Sequence, residues 1–304
     1  MPAVLIHLHI HKTGGTTLNS IIKHGFRPCE IFESLDKGEE LSGLDLDTHK
    51  SIAQMLSKFG LHRVRYISGH VPFGVHGLFG SDVKYVTVIR DPVERVISLF
   101  FFRAQGQEQS KIGAPFRENG RPISFADYIE GRRDVRLNNF QVRVLSGLQE
   151  LDAPAHVTPG ALISAAPVER RHLEQAKRNI DEHFLLAAPL ERIVECALML
   201  RRLYGWPLHR LHNEYKNKTK DRPRLIDIPP RLIEIIRECN AYDLELHEWI
   251  KGRFDEQRKA FEPELSRQLA RYQTRNDLLV GMGKILPHGL RKRIAETLLY
   301  TRRD

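Results

Sequence analysis

The sequence predicts a P-loop-like α/β fold: a parallel sheet flanked by helices, followed by a helical C-terminal extension. Three observations carry that expectation. Short β-branched runs end in loops or helix starts rather than in hairpin turns. These runs alternate with amphipathic helical segments, the pattern of a sheet wrapped on both faces. A Gly-rich turn follows the first run directly, where open α/β sheets place their ligand loops.

Residues 3–10 read as a buried strand, and an amphipathic helix follows through about Lys23. Val64–Ser68 and Lys84–Ile89 are the next short strands. Asp91-Pro92 is a helix-opening pair, with Asp as N-cap and Pro at the first helical position, and Val93–Phe102 continues it. Ser124–Glu130, Asn138–Leu145 and Val168–Ile180 read as helices. Phe184–Ala188 is a fourth strand, followed by a helix from Leu190 to Leu203. From Arg231 onward the pattern is helical only, and 251–304 is basic without a strand signal. The chain therefore divides into an α/β domain over 1–250 and a basic helical extension over 251–304.

The chain has 304 residues, ample for a sizeable core, and a formal net charge of +9 from 47 Lys and Arg against 38 Asp and Glu. Such an excess favours an anionic partner, whether nucleotide, acidic glycan, anionic lipid or nucleic acid. No zinc, RNP or KH module points to nucleic acid. Cys29, Cys196 and Cys239 are widely spaced and odd in number, which argues against a disulfide framework and for a reducing compartment. No apolar run approaches the ~20 residues of a membrane span, and the N-terminus lacks a basic region ahead of its apolar stretch. The expectation is a cytoplasmic protein. Leu290, Ile294 and Leu298 recur at helical spacing beside Arg291, Lys292 and Arg293, so the tail is a candidate for peripheral contact with the inner membrane surface.

His11-Lys12-Thr13-Gly14-Gly15-Thr16-Thr17 joins the first strand to the first helix. Two adjacent glycines let successive N–H groups converge on one anion, and the helix start behind them adds its positive dipole end. Lys12 supplies charge; Thr13, Thr16 and Thr17 supply hydroxyls. The order differs from a Walker A loop, because Lys12 precedes the glycines instead of following them. His7, His9 and His11 alternate and so share one strand face. Without a nearby carboxylate or Cys they suit a cleft lining better than a metal site. The second informative stretch runs from Tyr85 to Ser98. Arg90 ends a strand and Ser98 lies two turns into the next helix, an arrangement suited to a phosphate clamp.

His9-Ile10-His11-Lys12-Thr13-Gly14-Gly15-Thr16-Thr17 closely resembles the 5′-phosphosulfate loop of the heparan sulfate 2-O- and 6-O-sulfotransferases. The Arg-Asp-Pro stretch from Arg90 to Ser98 is similar to their 3′-phosphate motif. Asn138-Asn139-Phe140-Gln141-Val142-Arg143 is similar to a segment of the 6-O enzymes. The resemblance implies a soluble, bacterial-type member that uses 3′-phosphoadenosine 5′-phosphosulfate, with no metal. Lys12 would stabilise the leaving phosphate while Arg90 and Ser98 hold the 3′-phosphate. His11 stands where that family has Pro or Gln, and the disulfides and anchor of its secretory members are missing. A carbohydrate or glycolipid acceptor is expected.

In-line transfer needs a base near the acceptor hydroxyl. His70 follows the Val64–Ser68 strand, facing the same edge as the phosphate loop, and lies in a Gly-His-Val segment similar to the one carrying the base in 2-O-sulfotransferases. His76 is the second candidate. Asn139 and Arg143 are four apart on one helix face, and with Asn138 and Gln141 they are candidates to contact sugar hydroxyls. The rival readings are a nucleotide or small-molecule kinase with an atypical phosphate loop, and a non-catalytic glycan- or RNA-binding protein. Neither the Gly-Lys-Ser/Thr order nor a clear Mg²⁺-binding Asp supports the kinase.

Overall fold

The structure is a computed structural model and describes residues 3–33, 56–71, 73–80, 82–105, 117–118, 121–131, 135–148, 167–206 and 223–283. In chain order the elements are β1 (Val4–Leu8), α1 (Gly15–Ile22), β2 (Ile31–Glu33), β3 (Tyr66–Gly69), β4 (Val83–Ile89) and α2 (Pro92–Gln105). A small ribbon, β5 (Arg117–Glu118) with β6 (Arg121–Pro122), precedes α3 (Phe125–Glu130) and α4 (Phe140–Ser146). Then come α5 (Arg170–His183), β7 (Phe184–Pro189), α6 (Ile193–Tyr204), α7 (Pro230–Cys239), α8 (Ala241–Lys259) and α9 (Glu264–Gly283).

The main sheet has five strands in the order β2-β3-β1-β4-β7, and every neighbouring pair is parallel. The α/β expectation therefore holds, with helices alone among the described residues from α7 onward. The four expected strands correspond to β1, β3, β4 and β7; the three-residue edge strand β2 was not foreseen. Strand alternation divides the core. Val4, Ile6 and Leu8 pack on one face with Leu173 and Ile180 of α5 and Leu246 and Ile250 of α8. Leu5, Val86, Val88 and Leu186 pack on the other with α1, α6 and Leu265 of α9. A third cluster joins Val96, Ile97 and Phe100 of α2 to Tyr128 of α3 and Leu232 and Ile236 of α7. Helix starts follow local chemistry. The Glu94 N–H donates to the Asp91 carboxylate at 3.0 Å, opening α2, and the Ser124 hydroxyl accepts from the Asp127 N–H at 3.1 Å, opening α3.

α8 crosses residue 250 without a break, and Phe254, beyond it, is fully buried. The amphipathic stretch Leu290–Leu298 lies outside the described residues.

α4 and α8 cap one another. The Asn139 side-chain oxygen accepts from the N–H groups of Tyr242 and Asp243 at 2.9 and 3.0 Å, at the start of α8. In return the Asp243 carboxylate accepts from the N–H groups of Val142 and Gln141 at 2.8 and 3.0 Å, at the start of α4. Asn240 adds bonds to the Leu137 and Ile236 carbonyls. Asp243 is fully buried. Burial pushes its carboxyl above the ordinary value, while Arg95 and these N–H groups pull it back. Arg95 is also fully buried, donates to the Arg136 carbonyl and faces the Phe140 ring.

Two outcomes follow from this interior. Asp243→Ala should destabilise the protein by about 3–5 kcal/mol, because it strips a buried cation of a counter-charge and two N–H groups of their acceptor; urea unfolding measures the loss, and Asp243→Asn should lose less. His7 is fully buried in β1, and its pKa is lowered to about 3, first by burial and then by His70. Above pH 6.5 the folded and unfolded chains both hold it neutral. Below that, only the unfolded chain takes up the proton, so folding stability falls as pH drops from about 6.5 toward 3. One such group contributes about 1.4 kcal/mol per pH unit. His7→Gln should flatten the decline of unfolding free energy between pH 6.5 and 4.5 by that slope.

Candidate active site

β1 is the middle strand, and the loops leaving β1, β3 and β4 emerge side by side at the C-terminal edge of the sheet. Leu8 pairs with Gly69, and the His9 N–H donates to the Gly69 carbonyl at 3.0 Å. His70 is thereby placed beside His9, and Arg90 follows the last residue of β4 on the other flank. Because the chain passes from β3 to β4 across β1, this edge is where strand order reverses and a crevice forms.

The loop from His9 to Gly15 is tightly folded. Lys12 and Gly14 take left-handed backbones, with φ of 66° and 84°. The Gly14 carbonyl accepts from the Thr17 N–H at 3.0 Å, starting α1, whose leading N–H groups point back at the loop. A Cβ at Gly14 would come within 2.4 Å of the Leu190 side chain, and one at Gly15 within 1.9 Å of the His9 ring. Both glycines are required by what packs on them, in addition to the turn. Thr13, buried, donates its hydroxyl to the Ile10 carbonyl at 2.9 Å and pins the loop from inside. Thr17 is buried, while Thr16 is half-buried.

Arg90 is held at three points. Its backbone N–H donates to the Gln141 side-chain oxygen at 2.9 Å, and its carbonyl accepts from the Gln141 amide at 2.8 Å. Its guanidinium donates to the Lys12 carbonyl at 3.3 Å and pairs with Glu94 at 3.1 Å. Burial lowers this guanidinium from its usual pKa, against the opposing pull of Glu191 and Asp91. Glu94, Ser98 and Phe102 follow Arg90 at intervals of four, so they form one stripe of α2 facing the loop. Ser98 is buried on that stripe. At its far end the Lys12 ammonium lies 3.7 Å over the Phe102 ring, which is itself 47% exposed. Lys12, Arg90 and Ser98 are thus brought together.

His70 is oriented by the same loop. Its Nδ1 lies 2.7 Å from the His9 carbonyl, which only accepts, so in the neutral ring Nδ1 carries the proton and Nε2 the lone pair. Its ring stacks on His11 at 3.7 Å and on His9 at 4.4 Å, and His9 in turn lies 5.6 Å from His7. His9 is pushed well below the ordinary histidine range by burial, with His70, His7 and Lys12 adding to it. Among the described residues no group of three or more His, Cys, Asp or Glu side chains could hold a metal ion. His76 is elsewhere: its Nδ1 and N–H engage the Tyr85 hydroxyl at 2.9 and 3.0 Å, and its ring lies by His183.

Of the predicted sugar contacts, Asn139, Gln141 and Arg143 are buried. Asn139 and Gln141 spend their amides on the α4–α8 junction and on Arg90, while Asn138 is exposed. Sequence reasoning missed Phe102, which the 90-94-98-102 spacing could have revealed. It also missed Asp243, for which no local signal exists because its partners lie about a hundred residues upstream. The basic stretch His212–Arg224 lies mostly outside the described residues.

No protein-family profile matches the chain. Among curated proteins it is similar to uronyl 2-sulfotransferase of Homo sapiens, 25% identical over 284 residues that cover 83% of this chain and 63% of the relative. Uronyl 2-sulfotransferase of Mus musculus matches in the same way, at 25% identity and 62% of its length. Heparan sulfate 2-O-sulfotransferase hst-2 of Caenorhabditis elegans is 22% identical over 269 residues, 83% of this chain and 78% of its own. The chain therefore spans less than two thirds of the uronyl enzymes. The likeness to uronyl and heparan sulfate 2-O-sulfotransferases overturns the expectation of a cytoplasmic protein at the inner membrane surface. No described helix is long and apolar enough to cross a membrane, and that fact assigns no compartment. The resemblance read from the phosphate loop is matched across 83% of the chain by relatives that are all carbohydrate 2-O-sulfotransferases.

Proposed function

We propose that the chain transfers a sulfuryl group from 3′-phosphoadenosine 5′-phosphosulfate to a carbohydrate hydroxyl. One observation carries the reading: the base candidate and the anion clamp hold the same loop from opposite sides, His70 through the His9 carbonyl and Arg90 through the Lys12 carbonyl. A nucleophile's base and a phosphate's cations belong at opposite ends of an in-line transfer, separated by the reacting group.

The residues suit such a donor. The left-handed turn at Lys12 and Gly14 leaves the start of α1 open to an anion, and Arg90 is a largely buried cation beside it. When bound, the donor supplies an activated sulfuryl group with adenosine 3′,5′-bisphosphate as the leaving group. Lys12, Thr16, Thr17 and the N–H groups around Gly14 and Gly15 bind the 5′ side, and Lys12 offsets charge gathering on the leaving phosphate. Thr13 keeps the loop in shape. Arg90, with Ser98 behind it, receives the 3′-phosphate, which displaces Glu94 as the partner of the guanidinium. His70 Nε2 takes the acceptor's hydroxyl proton, while Nδ1–H on the His9 carbonyl fixes the tautomer that leaves Nε2 basic. The relatives' names make the 2-hydroxyl of a uronyl-bearing glycan the first acceptor to test.

Incubation with labelled donor and a panel of uronate-containing and neutral glycans, read by mass shift, tests the reading directly. Sulfate should appear on the glycan. A requirement for ATP and Mg²⁺, with phosphate transferred instead, would overturn it. Arg90→Ala should weaken adenosine 3′,5′-bisphosphate by ~2–4 kcal/mol, the scale of removing a charge-assisted hydrogen bond from a desolvated site, and leave adenosine 5′-phosphate nearly unchanged; calorimetry or thermal shift reads both. His70→Ala should cut turnover by ~10²–10⁴-fold with bisphosphate affinity unaltered.

A further inference from the structure

We infer that His11 is a positioning residue for the base: it closes a ring sandwich that fixes the orientation of His70 and makes that orientation a property of the phosphate loop. The inference rests on the reading of His70 as the base and goes beyond it in assigning His11.

An imidazole at the end of a strand has two degrees of freedom that matter to a base: rotation of the ring about its bond to Cβ, and choice of tautomer. The His9 carbonyl, 2.7 Å from Nδ1, sets the tautomer. A hydrogen bond at Nδ1 does not by itself stop the ring from rocking about the N–H···O line. The two faces are then taken by the rings of His9 and His11, at centroid distances of 4.4 and 3.7 Å and interplanar angles of 22° and 7°. The His11 contact is the closer and more nearly parallel of the two. The helix start at Gly15 lies hard against the His9 ring, which a Cβ there would meet at 1.9 Å. His11 is backed edge-on by Phe140 at 5.9 Å, and Phe140 belongs to α4, the helix that also carries Gln141 and its grip on Arg90. His70 is therefore clamped between a wall formed by α1 and a wall formed by α4. Both contacting rings come from a three-residue stretch of the loop read as holding the donor.

Proline or glutamine at position 11 could not supply this aromatic face. A stacked ring restricts rocking without taking the Nε2 lone pair, which a hydrogen-bonding side chain would compete for. Misplacing a catalytic group by about 1 Å costs up to roughly 10²-fold in rate, so loss of one wall should be visible in turnover.

The test compares His11→Ala, His11→Gln and His11→Phe with the parent and with His70→Ala. Turnover should fall roughly 10–100-fold in His11→Ala and His11→Gln and recover to within a few-fold in His11→Phe, which restores a ring without a titrating nitrogen. Adenosine 3′,5′-bisphosphate affinity should stay within about 2-fold throughout, a kcat effect without a donor-binding effect. Independently of activity, ¹⁵N spectra of the histidine-labelled full chain, assigned through His70→Ala, should show one sharp set of His70 ring signals in the parent and His11→Phe and exchange-broadened ones in His11→Ala, where the ring rocks against the His9 carbonyl. An unchanged His70 signal in His11→Ala overturns the inference, as does a loss of bisphosphate affinity that matches the loss of rate. Full turnover in His70→Ala would instead overturn the base reading, and the ¹⁵N comparison would still decide whether His11 orients the ring.

Discussion

The buried carboxylate of Asp243 is the constraint from which the site geometry descends. A carboxylate removed from water needs several strong partners, and Asp243 finds them in the first N–H groups of α4 and in the charge of Arg95. Meeting that need fixes where α4 begins. Gln141, in its first turn, then points at the end of β4 and holds the Arg90 backbone by a pair of amide bonds. Arg90 in turn reaches the Lys12 carbonyl. A chain of four bonded residues thus runs from α8, among the last elements of the fold, to the first loop of the sheet. Asn139 makes the arrangement reciprocal by capping α8 from α4, so neither helix can shift without freeing a buried donor or acceptor.

Much of this fold could be read from the sequence, because its signals are local. Val4–Leu8 and Val83–Ile89 are apolar runs of strand length that end at turn residues, and Asp91-Pro92 starts a helix by side-chain chemistry alone. The tight Gly-rich turn after β1 was legible for the same reason: Lys12, two glycines and three threonines lie within seven residues. What was not legible depends on pairing across long sequence separations. The edge strand Ile31–Glu33 is three residues long and owes its conformation to β3. Asn139 and Gln141 have the composition of a sugar-binding face, yet they serve backbone groups of residues 90, 242 and 243, since burial in a scaffold uses the same amides that recognition would. The shared face of His7, His9 and His11 was visible as alternation. That His70 would slide between two of those rings required the parallel register of Leu8 with Gly69.

The histidine stack also explains why so many imidazoles can occupy one edge beside Lys12 without loss of the fold. Four rings within stacking distance could not all be charged, and the interior settles the matter by burial. His7 is held to about 3 and His9 well below the usual range, so both are neutral packing groups at any physiological pH. For the proposed role of His70 as a base, a neighbour that stays neutral is the suitable one, and His9 also presents its carbonyl to the His70 ring.

The same edge sets Lys12 and Arg90 against side chains of α2. The Lys12 ammonium rests over Phe102, a half-exposed ring, and such a contact contributes about 0.5–1 kcal/mol. Arg90 pairs with Glu94, whose side chain is 32% exposed, and a pair open to water on one side has about the same worth. For an anion in the proposed role of ligand, part of the desolvation cost of this guanidinium is already met when the chain folds. Under the proposed function, exchange of Glu94 for a 3′-phosphate would leave the backbone of Arg90 in place, locked by Gln141. The bonds of Asp243 and Gln141 thus hold the Arg90 backbone in place before any anion of the proposed kind arrives at the sheet edge.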